Sequence, residues 1–315
     1  MICNKTLSEC LEMYSHEVLT HAMQEKGLME DGQLSRRAMC EILARYMLQP
    51  VVMEQYFCCL FNDEIERLDR GISADLAEGA YKGSNVVPAL LCQSNYAFCM
   101  SDEPEDRELF WIPCDVAEAY QEMKSDAFTE KRKSVNHFLS CLMAVGAFYG
   151  YVPLNVIAPV MKKTVEEVVD AIAALPKELN HYLVVGDMLY HRDLYLEDYG
   201  IALEQRDVPY YIPDEKELAE LGRWGYLPTR AEMRALVGYL VTERELEVES
   251  AEYVAMWIQK MVAAGCCLTD VYEYLEDFGV LEKDEVPKKL DDLLEEFRIN
   301  TRMLANRGFT ELELS

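Results

Sequence analysis

Two pairs of side chains have spacings that could support chemistry, and both pairs lie on predicted helices. His16 and His21 occur in the run HEVLTH, which is close to the HExxH motif of zinc proteases. The two histidines of that motif bind one ion because they lie four residues apart on one helical face. Five residues at about 100° each place His16 and His21 about 140° apart. We therefore expect them to share no metal ion.

The second pair, His137 and Cys141, does share a helical face, and a cysteine beside a histidine is the basis of a thiol nucleophile. The neighbouring Phe138, Leu139 and Leu142 are apolar, and no nearby carboxylate could orient the histidine. The pattern therefore favours a packed core position. Motifs for phosphate loops, dinucleotides, calcium loops and serine nucleophiles do not occur in the sequence. The sequence predicts no catalytic, cofactor-binding or metal-ligating residue; an enzyme whose site is assembled from distant residues stays an alternative.

The charge of the chain is unevenly distributed, which limits the surfaces that a polyanion could approach. The 315 residues carry a net charge of −27. Residues 51–130 contain 17 acids and 5 bases, and residues 201–315 contain 25 acids and 13 bases. Residues 1–50 and 131–200 are close to neutral. Because charge placement bears on partners rather than on fold, we expect a nucleic acid to be repelled outside the two near-neutral blocks.

The composition indicates a cytoplasmic protein with more than one core. Hydrophobic residues make up 50% of the chain, which is enough for two or three ordinary domains. No run approaches the ~20 apolar residues of a membrane helix, and the N-terminal MICNKTLSEC lacks the parts of a signal peptide. The eleven cysteines include no CxxC pair, so we expect most of them to be reduced and buried.

Residues 1–50 are predicted to form a helical module. Ser15 can cap a helix that runs to about Lys26, and Ser35 can cap a second helix from Arg36 to about Leu48. The module resembles the helix-extended-helix of SAP and Rho-N-terminal-type domains through Glu17-Val18-Leu19, Gly27-Leu28, Gly32, Arg36-Arg37 and Leu43. Basic residues at the start of the second helix contact nucleic acid in that family. The resemblance implies this role for Arg36 and Arg37.

Two further segments are predicted to follow the plan of a winged helix, in which helices precede a β-hairpin. In residues 51–130 the predicted helices are 51–60, 63–71 and 73–81, and the predicted strands are 95–100 and 108–113. In residues 131–205 the predicted helices are 135–149, 155–161 and 165–175, and the predicted strands are 181–185 and 188–191. Gly186-Asp187 is a hairpin turn signal, and Thr164 with Glu167 forms a predicted capping box.

The third helix of residues 131–205 bears most directly on nucleic-acid binding, because this helix of a winged helix commonly enters the major groove. Its predicted buried face consists of Val165, Val168, Val169 and Ile172. Its solvent side carries Glu166, Glu167 and Asp170. These acids repel phosphates, whereas phosphates and base edges require Lys, Arg, Asn or Gln. We therefore expect a packing or protein-contact role for this module.

Residues 206–315 are predicted to be helical from Asp214 onward, over 215–224, 230–241, 250–264, 269–278, 286–299 and a final short piece. The segment Pro209-Tyr210-Tyr211-Ile212-Pro213 is predicted to brace the junction before these helices or, alternatively, to anchor an interface. The block resembles the helical region that precedes a zinc-binding SEC-C motif in various bacterial proteins, through Asn300-Thr301-Arg302, Asn306, Gly308 and Thr310-Glu311-Leu312. The cysteine-rich motif does not occur in this sequence, so the resemblance implies no metal site.

We therefore predict an α+β, predominantly α protein with four parts: an SAP/Rho-N-like helical module (1–50), a winged-helix-like module (51–130), a winged-helix module (131–205) and a C-terminal helical domain (206–315). The predicted function is that of a non-enzymatic adaptor or regulatory protein that binds another protein, and the acidic blocks favour a partner with a basic surface. No cofactor and no membrane contact are expected. The alternative is a transcription-related regulator that contacts nucleic-acid phosphates through Arg36, Arg37, Lys131, Arg132 and Lys133.

Overall fold

The computed structural model describes residues 2–3, 5–28, 34–78, 89–102, 107–192, 204–282 and 285–315. Within these ranges the chain is α+β and predominantly α, as predicted, with two small three-stranded sheets. It divides into two compact units, the first comprising Met1–Asn136 with Leu175–Asn180 and the second His137–Ala174 with His181–Ser315. No helix of the described ranges has both the length and the apolar character needed to span a bilayer.

Hydroxyl side chains begin the first three helices of the first unit. These helices are α1 (Leu7–Leu11), α2 (His16–Glu25) and α3 (Arg36–Met47). The side chains of Thr6, Ser15 and Ser35 each accept a hydrogen bond from a first-turn backbone N–H that has no partner within its helix. The predicted caps at Ser15 and Ser35 are confirmed, and α1 is an additional helix.

The next helices differ from the prediction in length and number. They are α4 (Pro50–Phe57), α5 (Asn62–Glu78), α6 (Ala89–Gln93), α7 (Cys114–Met123) and α8 (Asp126–Ala144). The helices predicted at 63–71 and 73–81 are one helix as far as Glu78, because a glycine in a helix interior costs only about 1 kcal/mol; residues 79–81 lie outside the described ranges. The sequence prediction missed α7 and placed the start of α8 too late.

A mixed sheet joins the N-terminus to the hairpin of the first unit. Its strands are β1 (Ile2–Cys3), β2 (Phe98–Asp102) and β3 (Arg107–Pro113), in the order β1–β3–β2. The two predicted strands are therefore present with shifted ends. They are antiparallel, with Phe98 opposite Trp111, whereas β1 runs parallel to β3, with Ile2 opposite Ile112. The predicted boundary at residue 50 falls inside this unit.

The second unit begins with helices around an antiparallel sheet. A π-helix (Val145–Tyr149) follows α8, and after it come β4 (Tyr151–Pro153), α9 (Leu154–Val160), α10 (Val165–Ala173), β5 (Tyr182–Val185) and β6 (Met188–His191). The strand order is β4–β6–β5. Leu189 of the central strand lies opposite both Val152 and Val184 and is fully buried. The turn at Gly186-Asp187 is confirmed, whereas β4 and the π-helix were not predicted.

The connection between α10 and β5 belongs to the first unit. Residues Leu175–Asn180 include a short 3₁₀ helix, Lys177–Leu179. The ammonium group of Lys177 bonds to the Glu25 carboxylate at the end of α2. The chain therefore crosses between the units three times, at 136/137, 174/175 and 180/181.

From Glu215 onward, the described residues of the second unit are mostly helical, as predicted. Its helices are α11 (Glu215–Trp224), α12 (Ala231–Glu243), α13 (Val248–Ala263), α14 (Leu268–Asp277), α15 (Lys288–Asn300) and α16 (Glu311–Leu314). Their core includes the fully buried side chains of Leu236, Leu240, Val254, Ile258, Val271, Leu275, Leu290, Leu294 and Phe297. The predicted boundary at residue 205 falls inside this unit.

A buried arginine ties the C-terminal segment to α11. The guanidinium carbon of Arg302 lies 3.3 Å from the centre of the Tyr211 ring. The guanidinium donates hydrogen bonds to Glu217 Oε1 at 2.9 Å, to the Gly308 carbonyl at 2.8 Å and to Glu313 Oε2 at 3.1 Å. We call these five residues the Arg302 clasp. A buried cation is tolerated only with partners of this kind, because an unpaired charge in the interior is strongly unfavourable.

Glu217 is the central anion of the Arg302 clasp. Its carboxylate accepts hydrogen bonds from the Tyr211 hydroxyl at 2.6 Å and from Arg230 at 2.7 Å, besides the bond from Arg302. Burial alone would raise the pKa of Glu217, but these donors stabilise the carboxylate and hold its pKa below the ordinary value of 4.5. Tyr211 also accepts, at its carbonyl, a hydrogen bond from the Tyr149 hydroxyl at 2.5 Å. Residues 209–213, which we call the tyrosine segment, thus brace the second unit from within.

Gly308 occupies a position where a side chain does not fit. Its φ is +86°, and a Cβ atom would lie 3.0 Å from the Tyr149 ring, 3.1 Å from Tyr211 and 3.3 Å from Phe148. Glycine is therefore required both by the backbone conformation and by the close approach of the aromatic side chains.

We expect Gly308→Ala to lower the free energy of unfolding by about 3 kcal/mol, because it adds a crowded methyl group to a left-handed backbone. Gly279→Ala is the matched control, since Gly279 has a φ of +77° with open space where its Cβ would lie. Urea denaturation followed by circular dichroism measures both variants. Equal losses of stability would contradict the role given to crowding.

Glu217 should make stability depend on pH. A carboxylate whose pKa is lowered by folding adds stability that is complete above its unfolded pKa and is lost as the pH falls through its folded pKa. We expect Glu217→Gln to be about 3 kcal/mol less stable than the wild type at neutral pH. The difference should shrink as the pH falls below 4.5. Urea denaturation at a series of pH values measures this, and a difference that persists unchanged in acid would contradict it.

Candidate functional site

The solvent side of α10 carries apolar side chains as well as acids. Val168 and Ile172 are buried, whereas Val165 and Val169 are 41% and 36% exposed. The prediction that all four form a buried face is therefore wrong for Val165 and Val169. The helix packs on α9, which has only 7 residues, so part of its apolar stripe stays uncovered.

Acids flank these exposed valines. Glu166, Glu167 and Asp170 all face solvent, as predicted. Glu167 completes the predicted capping box, and the hydrogen bond that it accepts from the Thr164 N–H at 2.7 Å lowers its pKa. Glu166 and Asp170 form no ion pair with any residue of the described ranges. We call Val165, Glu166, Val169 and Asp170 the α10 face; its valines and its acids each lie one helical turn apart.

An open cleft of about 370 Å³ lies between α9, the tyrosine segment and α11. It is lined by Val156, Pro159, Val160, Lys162, Ile212, Pro213, Glu215 and Leu218. Its charged groups pair with each other, since Lys162 Nζ lies 3.0 Å from Glu215 Oε1. A cleft with apolar walls and one neutralised ion pair suits an apolar side chain better than a phosphate or a small anion.

The two lysines before α10 have different partners. Lys162 forms an ion pair with Glu215. The ammonium group of Lys163 lies 5.9 Å from the centre of the Phe138 ring. The charge of Lys162 is therefore compensated by an acid, whereas Lys163 lies over an aromatic ring and keeps its positive charge.

The predicted nucleic-acid residues on α3 have partners within the first unit. The Arg36 guanidinium donates to the Glu12 carbonyl. Arg37 Nε lies 3.1 Å from Glu41 Oε1, one turn along the helix. The two arginines begin α3 as predicted, and Arg37 is paired with an acid, whereas Arg36 bonds to a backbone carbonyl.

The three bases at the start of α8 are also engaged. Lys131 pairs with Glu54 at 2.5 Å, and Lys133 pairs with Glu130 at 2.7 Å. Arg132 is only 8% exposed and donates to the Leu60 carbonyl at 3.2 Å. Arg132 is therefore largely buried, whereas Lys131 and Lys133 are exposed and each forms an ion pair with an acid.

His137 and Cys141 lie together, with a carboxylate that the sequence did not reveal. Cys141 Sγ is 3.8 Å from His137 Nε2, and Glu215 Oε2 is 3.9 Å from His137 Nδ1. His137 Nε2 also lies 2.9 Å from the Val160 carbonyl. Cys141 is fully buried, and burial raises the pKa of its thiol to about 12. A thiolate is the nucleophilic form, so the arrangement is a core contact, as predicted for Cys141.

The two histidines of α2 have different surroundings. His21 Nε2 is 3.0 Å from Glu25 Oε1, one turn along the helix. His16 is the first residue of α2 and is exposed. Across the described ranges, no three His, Cys, Asp or Glu side chains converge in a metal-binding arrangement.

Only weak signals in the sequence point to the exposed valines and the cleft. Valines one turn apart on an amphipathic helix are typical of a core face, and only the packing reveals which of them stay uncovered. The cleft needs Ile212 and Pro213 to meet α9, which lies far away in the sequence. The one signal was the tyrosine segment between two prolines, for which an interface role was the alternative prediction.

Alkylation rates should separate a buried thiol from an accessible one. We expect iodoacetamide to modify Cys267, which is exposed, at least about 100-fold faster than Cys141 in the folded chain. Mass spectrometry of peptides after timed labelling measures both rates, and labelling in urea provides the control, in which the two should react alike. Comparable rates in the folded chain would contradict the core role of Cys141.

Comparison with known proteins identifies no relative of this chain. Neither the protein-family models, nor the curated proteins, nor the solved structures contain a match to this chain. Function is therefore inferred from the site itself.

Proposed function

We propose that this chain is a non-enzymatic adaptor or regulatory protein of the cytoplasm that uses a winged-helix module and helical modules to bind another protein. The order of elements supports the winged-helix part of the proposal. The end of α8, β4, α9, α10 and the β5–β6 hairpin follow one another, and β4 pairs with β6. In that plan α10 is the third helix, which commonly enters the major groove in DNA-binding members.

The α10 face is the observation that carries the proposal. A helix that reads DNA must offer hydrogen-bond donors to phosphates and base edges. The α10 face offers two exposed valines and two carboxylates that form no ion pair within the described ranges. The carboxylates repel phosphates, whereas apolar side chains bordered by charge suit contact with another protein.

The expected partner presents lysine or arginine beside apolar side chains. Its cations would meet Glu166 and Asp170, and an apolar side chain could enter the cleft beside α9 as an anchor. Charge of this kind speeds the encounter more than it tightens the complex. The association rate should therefore fall as salt is added, because mobile ions screen exposed charges.

Site-specific photocrosslinking tests the α10 face. With benzoylphenylalanine in place of Val169, we expect a crosslink to one protein in cells, and Glu166→Lys with Asp170→Lys should reduce that product at least about 10-fold by repelling a basic partner. Two controls are matched to this design. Val51, in the first unit, is a 64% exposed valine for the crosslinker, and Glu118→Lys with Glu122→Lys on α7 changes the net charge equally. A crosslink that survives the α10 reversal would contradict the proposal.

Nucleic-acid binding is the competing outcome. We expect no saturable binding of a labelled duplex or single strand of about 20 nucleotides at low salt, measured by fluorescence anisotropy. Binding that Arg36→Glu with Arg37→Glu abolishes would support the nucleic-acid alternative and would contradict the proposed function.

A further inference from the structure

Three aromatic side chains form a contiguous exposed patch on α13 and at the end of α14. Tyr253 and Trp257 lie one turn apart on α13, and their ring centres are 6.2 Å apart. Phe278, which follows the last residue of α14, has its ring centre 6.2 Å from that of Tyr253. The three side chains are 49%, 39% and 41% exposed, respectively. We call them the aromatic patch.

The aromatic patch is not part of the core of these helices. Val254, Ile258 and Leu275 face that core and are fully buried. A single exposed aromatic residue is ordinary, but several in mutual contact form the kind of apolar patch that marks an interaction site. Tyrosine and tryptophan also dominate the binding energy of protein interfaces.

Exposed acids border the aromatic patch. Glu249 lies one turn before Tyr253 on the same side of α13, and Asp277, the last residue of α14, precedes Phe278 in the chain. Neither carboxylate forms an ion pair with a residue in the part of the chain that the structure describes. The patch therefore combines partly exposed aromatic side chains with two carboxylates that pair with no cation of the described ranges.

Lys260 indicates that a cation can lie on the Trp257 ring. Its Nζ is 5.0 Å from the ring centre, and partial burial lowers the pKa of the ammonium group. A guanidinium is better suited to such a surface, because it is planar, weakly hydrated and able to stack on a ring while pairing with a carboxylate.

We infer that the aromatic patch is a docking surface for a protein segment that carries arginine, with guanidinium groups stacked on Tyr253 and Trp257 and paired with Glu249 and Asp277. The charge of the rim matches this partner and repels a phosphate-bearing one. The inference goes beyond the proposed function, because it concerns other helices than α10. Different variants test the inference and the proposed function, so either one can fail without the other.

Titration calorimetry with two peptides of equal charge tests the inference on the full chain. We expect acetylated octa-arginine to bind the wild type about 5-fold or more tightly than octa-lysine, because the guanidinium stacks better. Tyr253→Ser with Trp257→Ser should weaken octa-arginine binding about 5- to 30-fold through the loss of two cation–π contacts. Trp224→Ser should leave it unchanged, since Trp224 on α11 is 46% exposed but lies outside the patch.

A charge variant keeps the test independent of any effect of the serine substitutions on folding. Glu249→Lys with Asp277→Lys leaves the rings in place, and we expect it to weaken octa-arginine binding about 5-fold more than Glu118→Lys with Glu122→Lys. Both variants change the net charge equally. Equal losses, or equal binding of the two peptides by the wild type, would overturn the inference in favour of general attraction to an acidic chain.

Sedimentation velocity of the wild type tests whether the aromatic patch binds a second copy of the chain. A monomer at the concentrations used for calorimetry is expected, because the acidic rims of two copies would repel each other. A dimer that Trp257→Ser dissociates would assign the patch to a second copy of the chain and would overturn the inference.

Discussion

The second unit depends on one buried charge, the guanidinium of Arg302. Such a cation needs a full set of partners, and the chain supplies them from Tyr211 and Glu217 on one side and from Gly308 and Glu313 on the other. These contacts fix the C-terminal segment against α11. Because α11 also contributes Glu215 and Leu218 to the cleft, the interior charge and the surface cleft are built on the same helix.

Local chemistry made many elements of the fold predictable from the sequence. The caps at Ser15, Ser35 and Thr164 and the turn at Gly186-Asp187 need only residues close together in the chain. The elements that the sequence prediction missed depend on distant contacts or on backbone geometry that the sequence pattern does not reveal. The two residues of β1 become a strand because β3 pairs with them from far along the chain, and the π-helix Val145–Tyr149 differs from α8 by one extra residue per turn, which leaves no mark in the sequence.

The acidic residues of the candidate site could be predicted from the sequence, whereas the exposure of its valines could not. Glu166 and Asp170 occupy positions that the helical period directs to solvent, whatever packs beneath them. Val165 and Val169 sit at the edge of the apolar stripe, so their exposure depends on how much of α10 its neighbour covers. The sequence likewise shows how many charged residues there are but does not show which of them form ion pairs. Lys131 and Glu54 are 77 residues apart and form a pair at 2.5 Å, which the sequence pattern does not indicate.

The route of the chain between the two units determines how the protein can be divided and in what order it can be completed. Leu175–Asn180 belongs to the first unit, although α10 before it and β5 after it belong to the second. A fragment that stops at residue 136 would lack Lys177, the partner of Glu25. A continuous stretch of polypeptide that contains all of one unit therefore always includes residues of the other. On the ribosome, the first unit gains its last residues only after the helix that bears the α10 face has already been synthesised.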